Sequence, residues 1–121
     1  MEKKNLLIVD DSRVARMVVR SIIENLKANV VILEAANGQE ALQAIRDNQV
    51  HAVLLDHGMP DKSGLEVAVE IRAEKPDILI YMLTANVQES MKSRAQTVGV
   101  GFIEKPATEE KIRDFLERTG S

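Results

Sequence analysis

The chain has 121 residues, enough for one domain, and its 45% apolar and 29% charged residues are typical of a globular protein. A net charge of −3 does not suggest the clustered basic surface that nucleic-acid binding requires. The absence of cysteine excludes disulfides, thiol catalysis and zinc–thiolate sites. The longest apolar run near the amino terminus, residues 6–9, is too short for a signal peptide or a membrane span. We therefore expect a cytoplasmic protein that binds neither nucleic acid nor a membrane.

Short apolar segments bounded by turn residues alternate with segments of helical periodicity along the whole chain. The strands are predicted at residues 3–9, 30–33, 51–55, 78–83 and 101–103, with a helix after each. This alternation predicts an α/β fold, a parallel sheet covered on both faces. Right-handed crossovers leave few topologies, and we expect the flavodoxin-like order 2-1-3-4-5 with five helices, in one domain over residues 1–121. Alternation alone would permit other orders.

The helices are predicted from apolar residues at helical spacing and from capping residues. The positions expected to face the core are Val14, Met17, Val18, Ile22 and Leu26 in the first helix, Leu42 and Ile45 in the second, Leu65, Val69 and Ile71 in the third, Val87, Met91, Ala95 and Val98 in the fourth, and Ile112, Phe115 and Leu116 in the fifth. The predicted caps of the second to fifth helices are Asn37, Ser63, Asn86 and Thr108, and the predicted ends of the last two are Gly99 and Gly120.

Polar side chains follow four of the five predicted strands. They are Asp10 and Asp11 after the first strand, Asp56 after the third, Thr84 after the fourth and Lys105 after the fifth. The second strand gives only Glu34 and Ala35, and we expect it at the outer edge of the sheet. Because ligands bind at the carboxyl ends of parallel strands, we expect the side chains that follow these four strands to share one site.

Carboxylates gathered at one rim repel one another by roughly 4 kcal/mol per pair at about 4 Å and an effective dielectric constant near 20. Either a pKa rises or a cation binds, and a site that offers only oxygen ligands favours Mg²⁺. Lys105 adds an ammonium group and Thr84 a hydroxyl group. The set suits a phosphoryl group, which makes Asp56 the candidate nucleophile and an aspartyl phosphate the expected product.

Each of these residues also has an ordinary interpretation when it is taken alone. Asp56 and Lys105 would be surface residues, and the acidic pair would cap the first helix. Joint placement at one rim is what favours function. Of the two histidines, His57 is expected on the lip of the pocket and His51 is expected to be structural.

Several short motifs together resemble the receiver domain of two-component response regulators, over nearly the whole chain. They are Asp10-Asp11, Asp56 followed by Met59-Pro60, Gly64, Thr84-Ala85 and Lys105-Pro106. The resemblance implies that Asp56 accepts a phosphoryl group from a phosphohistidine, on a histidine kinase or a phosphotransfer protein, with Mg²⁺ as cofactor. The chain would then be a signalling switch, with no enzymatic activity beyond its own phosphorylation and dephosphorylation.

The resemblance also implies a role for individual residues. The implied metal ligands are Asp11, Asp56 and the backbone carbonyl of Gly58, with Asp10 acting through water. The implied phosphoryl-binding residues are Gly58, Thr84, Ala85 and Lys105. Thr84 and Phe102 would form the switch, and the Lys105–Pro106 peptide bond would be cis.

Departures from the family pattern concern partner choice and the lifetime of the phosphate. Gly58 has no side chain to screen the phosphoryl group, so water would reach it more freely, and Ser63 and Ala107 replace residues that are commonly acidic and larger. The resemblance implies a target protein on the surface of the fourth helix, fifth strand and fifth helix, including Phe102 and Ile103. With no output domain after Ser121, we expect a chemotaxis-type regulator that acts by protein contact. The alternatives are a phosphorelay shuttle and a receiver excised from a longer regulator.

Two other classes use related chemistry or the same expected fold. An aspartyl-phosphate hydrolase of the haloacid dehalogenase kind needs a second Asp two residues after the nucleophile, where this chain has Gly58. An FMN-binding flavodoxin would place the flavin phosphate at the turn after the first strand, where Asp10 and Asp11 would repel it. The sequence therefore favours the phosphoacceptor.

Overall fold

Five strands and five helices alternate along the computed structural model, which describes residues 3–59, 62–85 and 88–119. The strands are β1 (Lys4–Val9), β2 (Val30–Ala35), β3 (Ala52–Asp56), β4 (Leu79–Thr84) and β5 (Val100–Glu104). The helices are α1 (Arg13–Asn25), α2 (Gly38–Asp47), α3 (Gly64–Glu74), α4 (Glu89–Val98) and α5 (Glu109–Arg118). All neighbouring strands are parallel, in the order β2-β1-β3-β4-β5, which confirms the predicted flavodoxin-like α/β fold.

The sheet is apolar on both faces because helices cover both. Successive side chains of a strand point to opposite faces. Leu7 and Val9 of β1 belong to the core cluster that includes residues of α2, α3 and α4, whereas Leu6 and Ile8 belong to the cluster that includes residues of α1 and α5. The central strand β3 is buried along its whole length, so its last residue, Asp56, is a carboxylate at the end of the apolar core.

The predicted core face of α1 is wrong in part. Val14, Met17 and Val18 are 69%, 58% and 51% exposed. The side chains that pack in the core are Val19, Ile22 and Ile23 of α1 and its C-cap residue Leu26. Both groups follow helical spacing, and the four-residue steps from Val14 through Val18 to Ile22 join them into one apparent stripe. Periodicity could not decide which group faces the sheet, and α1 keeps an apolar surface exposed.

The predicted caps hold for three helices. Asn37, Ser63 and Thr108 each accept a hydrogen bond from the backbone N–H three residues on, which stabilises the first turns of α2, α3 and α5. In α3, however, Val69 is exposed and Val67 and Ala68 are buried in its place.

Helix α4 differs from the other helices at its amino end. Its N-cap is Gln88, whose side chain makes no capping hydrogen bond. Gly99 ends the helix in the left-handed conformation, with φ of 78°, as predicted. The predicted cap Asn86 and core residue Val87, the motif residue Pro60 and the predicted stop Gly120 lie outside the described residues. No helix in the described part of the chain has the length and apolar character to cross a bilayer.

Candidate functional site

The carboxyl ends of β1, β3, β4 and β5 meet at one rim of the sheet. The register pairs Val9 with Leu55, and Asp56 with Leu83 on the next strand. The side chains that follow these strands are therefore brought together, as the sequence predicts. Among the described residues, the buried polar side chains are Asp10, Asp56 and Thr84, and all three lie at this rim.

Three carboxylates form a cluster at the rim. One oxygen atom each from Asp10, Asp11 and Asp56 lies within 4.8 Å of the others. Burial raises the pKa of Asp10, and the charges of Asp56 and Asp11 raise it further, against a hydrogen bond from the Ser12 N–H and the charge of Lys105. The folded chain thus concentrates negative charge that it only partly compensates. Because the cluster offers only oxygen ligands, its residues fit a hard divalent cation such as Mg²⁺.

Lys105 reaches the cluster from the end of β5. Its Nζ donates a hydrogen bond to Oδ1 of Asp56 at 2.6 Å, and its backbone N–H donates to the Thr84 carbonyl oxygen at 2.8 Å. The Lys105–Pro106 peptide bond is cis. The ammonium group that the sequence placed opposite the acidic residues is thus in contact with the candidate nucleophile.

A cavity of about 430 Å³ opens beside Asp56. It is lined by Asp56, His57, Gly58, Leu83, Thr84, Ala85, Gln88, Met91 and Lys105. The predicted phosphoryl-binding residues Gly58, Thr84, Ala85 and Lys105 therefore share one cavity with Asp56. The cavity thus brings Lys105 and Thr84 to the same side of Asp56.

The chain is matched over residues 6–117 by the family model described as the response regulator receiver domain. It belongs to this family. Response regulator UvrY of Escherichia coli (strain K12) is 33% identical over 109 residues, which is 89% of this chain and 50% of UvrY. The chain thus spans about half the length of this relative. Chemotaxis protein CheY of Listeria monocytogenes is 34% identical over 114 residues, which is 93% of this chain and 95% of CheY.

Solved receiver structures are similar over almost the whole chain. Chemotaxis protein CheY4 of Vibrio cholerae matches with a TM-score of 0.88 and 27% identity, covering 97% of this chain and 98% of CheY4. A chain in the co-crystal structure of the Saccharomyces cerevisiae histidine phosphotransfer protein Ypd1 and the Ssk1 receiver domain matches with a TM-score of 0.85 and 25% identity, covering 98% of this chain and 90% of that chain.

Two glycines shape this receiver's site in different ways. A Cβ atom at Gly64 would lie 2.7 Å from the Asp56 carbonyl oxygen, so only glycine lets α3 approach the end of β3 so closely. A Cβ atom at Gly58 would lie at an ordinary 3.8 Å from Oδ2 of Asp56. A Cβ atom would therefore fit at position 58 beside Asp56.

Phe102 lies on β5, two residues before Glu104, which pairs with Thr84 in the register. It is half-buried and packs against the same core cluster as Met91 and Val98 of α4. Phe102 therefore lies between the rim and the side chains of α4. The role of Thr84 and Phe102 as a switch stays a prediction.

Three features of the site were not found from the sequence. Nδ1 of His57 is buried without a hydrogen-bond partner in the described structure. Arg16 of α1 donates a hydrogen bond to the Asp10 carbonyl oxygen at 2.6 Å and is paired with Glu34 of β2. For the contact of Arg16, the only signal in the sequence was the position of this basic residue, about one and a half helical turns after the acidic pair.

Proposed function

We propose that this receiver accepts a phosphoryl group on Asp56 from a phosphohistidine, in a Mg²⁺-dependent reaction, and signals through contact with another protein. The observation that carries the proposal is the arrangement around Asp56. Its Oδ1 accepts a hydrogen bond from the Lys105 ammonium group, and two further carboxylates lie beside it. A carboxylate in these surroundings can attack phosphorus, and the neighbouring groups can bind the transferred oxygens.

The transfer forms a bond between an Asp56 oxygen and phosphorus as the bond from phosphorus to the histidine nitrogen breaks. The electron pair leaves with the imidazole, which takes up a proton. Oδ1 is held by Lys105, which leaves Oδ2, the oxygen nearer Gly58, for the attack. Lys105 and the Thr84 hydroxyl then bind phosphoryl oxygens, and the backbone at Gly58 and Ala85 lines the same cavity.

The acidic cluster supports a role for a divalent cation in this reaction. Asp11, Asp56 and the Gly58 carbonyl would hold Mg²⁺, and Asp10 would act through water. A bound Mg²⁺ supplies positive charge that offsets the charge on the phosphoryl oxygens. The carboxylates of this chain contribute by their placement, because the fold gathers one oxygen of each within 4.8 Å of the others.

The test is labelling by acetyl phosphate in the presence of MgCl₂, read by intact mass. We expect one phosphoryl group per chain, on Asp56, in an adduct that is stable in acid and lost in base. EDTA should abolish labelling. Asp56→Asn should not be labelled, whereas Asp77→Asn, which changes an exposed residue before β4, should be labelled like the parent. Equal labelling of Asp56→Asn and the parent would show that the nucleophile is another residue.

The exposed apolar surface of α1 is the surface that we assign to the phosphohistidine donor. Val14, Met17 and Val18 are exposed on this helix. Val18 also lines a groove of about 470 Å³ that reaches Asp10 and Lys105 at the rim. A donor must bring its phosphohistidine to this rim. Met17→Glu should therefore slow transfer from a phosphohistidine protein and leave labelling by acetyl phosphate unchanged.

The output partner is a separate question. By family resemblance we assign it to the surface of α4, β5 and α5, including Phe102 and Ile103. The similarity to CheY over 95% of its length supports a chemotaxis-type regulator. The similarity to the receiver crystallised with Ypd1 supports a phosphorelay shuttle instead. A pull-down with the beryllium fluoride-bound protein, with Phe102→Ala as the comparison, would identify the partner and distinguish a motor-type target from a phosphotransfer protein.

A further inference from the structure

Strand β2 ends without a residue in the site, yet its carboxyl end is connected to the acidic cluster. Glu34 lies next to the last residue of β2, and its carboxylate accepts hydrogen bonds from two arginines of α1. Arg16 Nε donates to Oε1 at 2.9 Å, and Arg20 Nη1 donates to Oε2 at 2.8 Å. Glu34 thereby fixes the orientation of the Arg16 guanidinium group.

The other arm of the same guanidinium group reaches the site. Arg16 Nη1 donates to the Asp10 carbonyl oxygen at 2.6 Å. The Asp10 N–H donates to the carbonyl oxygen of Ala35, also in β2, at 3.1 Å, and Oδ1 of Asp10 accepts from the Ser12 N–H at 2.9 Å. Asp10 is therefore held at its N–H, its carbonyl and its side chain, and two of these three contacts lead to β2.

The Asp10 carbonyl belongs to the peptide group that joins Asp10 to Asp11. Asp11 is exposed, and no hydrogen bond from the described residues holds its carboxylate. The direction in which the Asp11 side chain leaves the backbone consequently depends on the plane of that peptide group. A donor fixed on the carbonyl oxygen limits rotation of this plane and keeps the Asp11 carboxylate near Asp10 and Asp56.

A planar fork suits both contacts at once. The guanidinium group offers donors in a rigid arrangement, one arm for Glu34 and one for the Asp10 carbonyl, whereas an ammonium group carries all its donors on one atom at the end of a flexible stem. The Arg16 side chain is 15% exposed, so water competes weakly for its donors. Arg16 contacts the carbonyl oxygen of Asp10 and not its carboxylate, so the contact acts on the backbone.

We infer that Arg16, held by Glu34, is a positioning residue for the divalent cation site, acting through the Asp10–Asp11 peptide group. The inference rests on the proposed function, because it assigns β2 a part in the same site. Groups that hold metal ligands in place typically change metal affinity about 10- to 100-fold when removed. We expect about tenfold here, since Mg²⁺ sites keep several waters and are loosely held.

The experiment compares Arg16→Met with a matched ion pair elsewhere in the fold. Arg46 of α2 donates two hydrogen bonds to Glu74 of α3, at 2.8 and 2.6 Å, and its side chain is 51% exposed. Arg46→Met therefore removes a forked pair that does not contact the rim. MgCl₂ titrations followed by ¹H–¹⁵N NMR should give about a tenfold weaker Kd for Arg16→Met and an unchanged Kd for Arg46→Met.

A second measurement distinguishes positioning from general loss of structure. The rate of acetyl phosphate labelling should reach half its maximum at about tenfold higher MgCl₂ in Arg16→Met, with a nearly unchanged rate at saturation. Glu34→Gln, a milder change, should shift the midpoint in the same direction, and the double variant should add little to Arg16→Met. Arg16→Lys should resemble Arg16→Met.

The outcomes separate this inference from the proposed function. If the parent protein neither binds Mg²⁺ nor is labelled, the proposed function fails. If the parent does both and Arg16→Met has the parent's Mg²⁺ midpoint, the positioning role is wrong and the function stands. Parent-like affinity in Arg16→Lys would show that charge alone suffices, and an equal shift in Arg46→Met would show a general effect of lost ion pairs. Either result overturns the inference.

Discussion

A histidine and other polar groups lie at each end of β3. They are hydrogen-bonded to one another at the amino end, and like-charged or unpaired at the carboxyl end. At the amino end, Nδ1 of His51 accepts a hydrogen bond from the Asn5 N–H at 2.9 Å. The His51 N–H donates to the Asn5 carbonyl, and the His51 carbonyl accepts from Leu79. At the carboxyl end, three carboxylates lie within 4.8 Å of one another, and Nδ1 of His57 is buried without a partner in the described structure.

The amino end of β3 therefore contributes to stability, and its carboxyl end to the candidate site. Paired polar groups at the amino end connect β1, β3 and β4 and contribute to the free energy of folding. Gathered charges and an unpaired buried atom at the carboxyl end cost free energy, and such costs concentrate at sites where a ligand later offsets them. Changes at the amino end should therefore alter stability alone, and changes at the carboxyl end should alter chemistry, some with a gain in stability.

The largest effect should come from Lys105→Ala. It removes the ammonium group that contacts Asp56 and that would bind the phosphoryl oxygens, so labelling by acetyl phosphate should slow by about 100-fold. The little adduct that forms should not bind the output partner. Lys75→Ala, which removes an exposed ammonium group at the end of α3, is the control and should behave like the parent. Normal partner binding by phosphorylated Lys105→Ala would contradict the role of Lys105 in switching.

The second effect is on stability and has an unusual sign. Asp10→Asn keeps an acceptor for the Ser12 N–H but removes a charge from the cluster. We expect the free energy of unfolding in EDTA at pH 7.5 to rise by about 1–3 kcal/mol, because a buried charge is removed and repulsion among the carboxylates is relieved. Urea unfolding measures it. Asp77→Asn, an exposed carboxylate near the amino end of β4, should change stability by less than about 0.5 kcal/mol.

The pH dependence of this difference follows from the raised pKa of Asp10. Between the ordinary value of 3.8 and the raised value in the folded protein, the folded state binds more protons than the unfolded state, so the parent gains stability as the pH falls through this range. The advantage of Asp10→Asn should therefore shrink from pH 7.5 toward pH 4. If the stability difference between Asp10→Asn and the parent grew on acidification, the charged Asp10 carboxylate would not be the cause of that difference.

Substitutions at the amino end of β3 should lower stability and leave the chemistry of the site unchanged. His51→Ala leaves the Asn5 N–H without its acceptor and should lower the free energy of unfolding by about 1 kcal/mol. His51→Asn keeps an acceptor near the position of Nδ1 and should lose less. Neither variant should alter the rate of acetyl phosphate labelling. A labelling defect in His51→Ala with intact folding would show that the two ends of β3 are not independent.

The sequence was sufficient to predict the rim but not all of its surroundings. The meeting of Asp10, Asp56 and Lys105 follows from strand ends, because parallel strands in register end at the same edge. The sheet order was expected among the few topologies that right-handed crossovers allow, and the structure confirms it. The inward face of α1 was mispredicted because two adjacent apolar stripes, around Val14 and around Val19, both follow helical spacing. Which stripe faces the sheet depends on how the turn after β1 enters the helix, which the spacing does not encode.

Contacts between distant side chains were also beyond the sequence. The path from Glu34 through Arg16 to the Asp10 carbonyl depends on the distance between α1 and the edge strand β2, which becomes known only when the helix is packed. The burial of His57 Nδ1 likewise depends on the surrounding atoms. Gly64 was identified only as a residue of a family motif, and the structure shows why it is glycine, since a Cβ there would lie 2.7 Å from the Asp56 carbonyl oxygen.

The smallest effect should come from placing a side chain at position 58, beside Oδ2 of Asp56. A Cβ at position 58 would contact Oδ2 of Asp56 at 3.8 Å without a clash, so Gly58→Ala should fold normally and exclude part of the water that hydrolyses the acyl phosphate. We expect the half-life of the phosphorylated protein to lengthen about threefold, and Gly58→Leu to lengthen it further, as measured by loss of the adduct after acetyl phosphate is removed. Gly64→Ala is the matched control, because the same methyl group would press on the Asp56 carbonyl oxygen and should lower stability without lengthening the half-life. An unchanged half-life in Gly58→Leu would mean that the attacking water enters from another side of the cavity, and that the missing side chain at position 58 does not set how long the signal lasts.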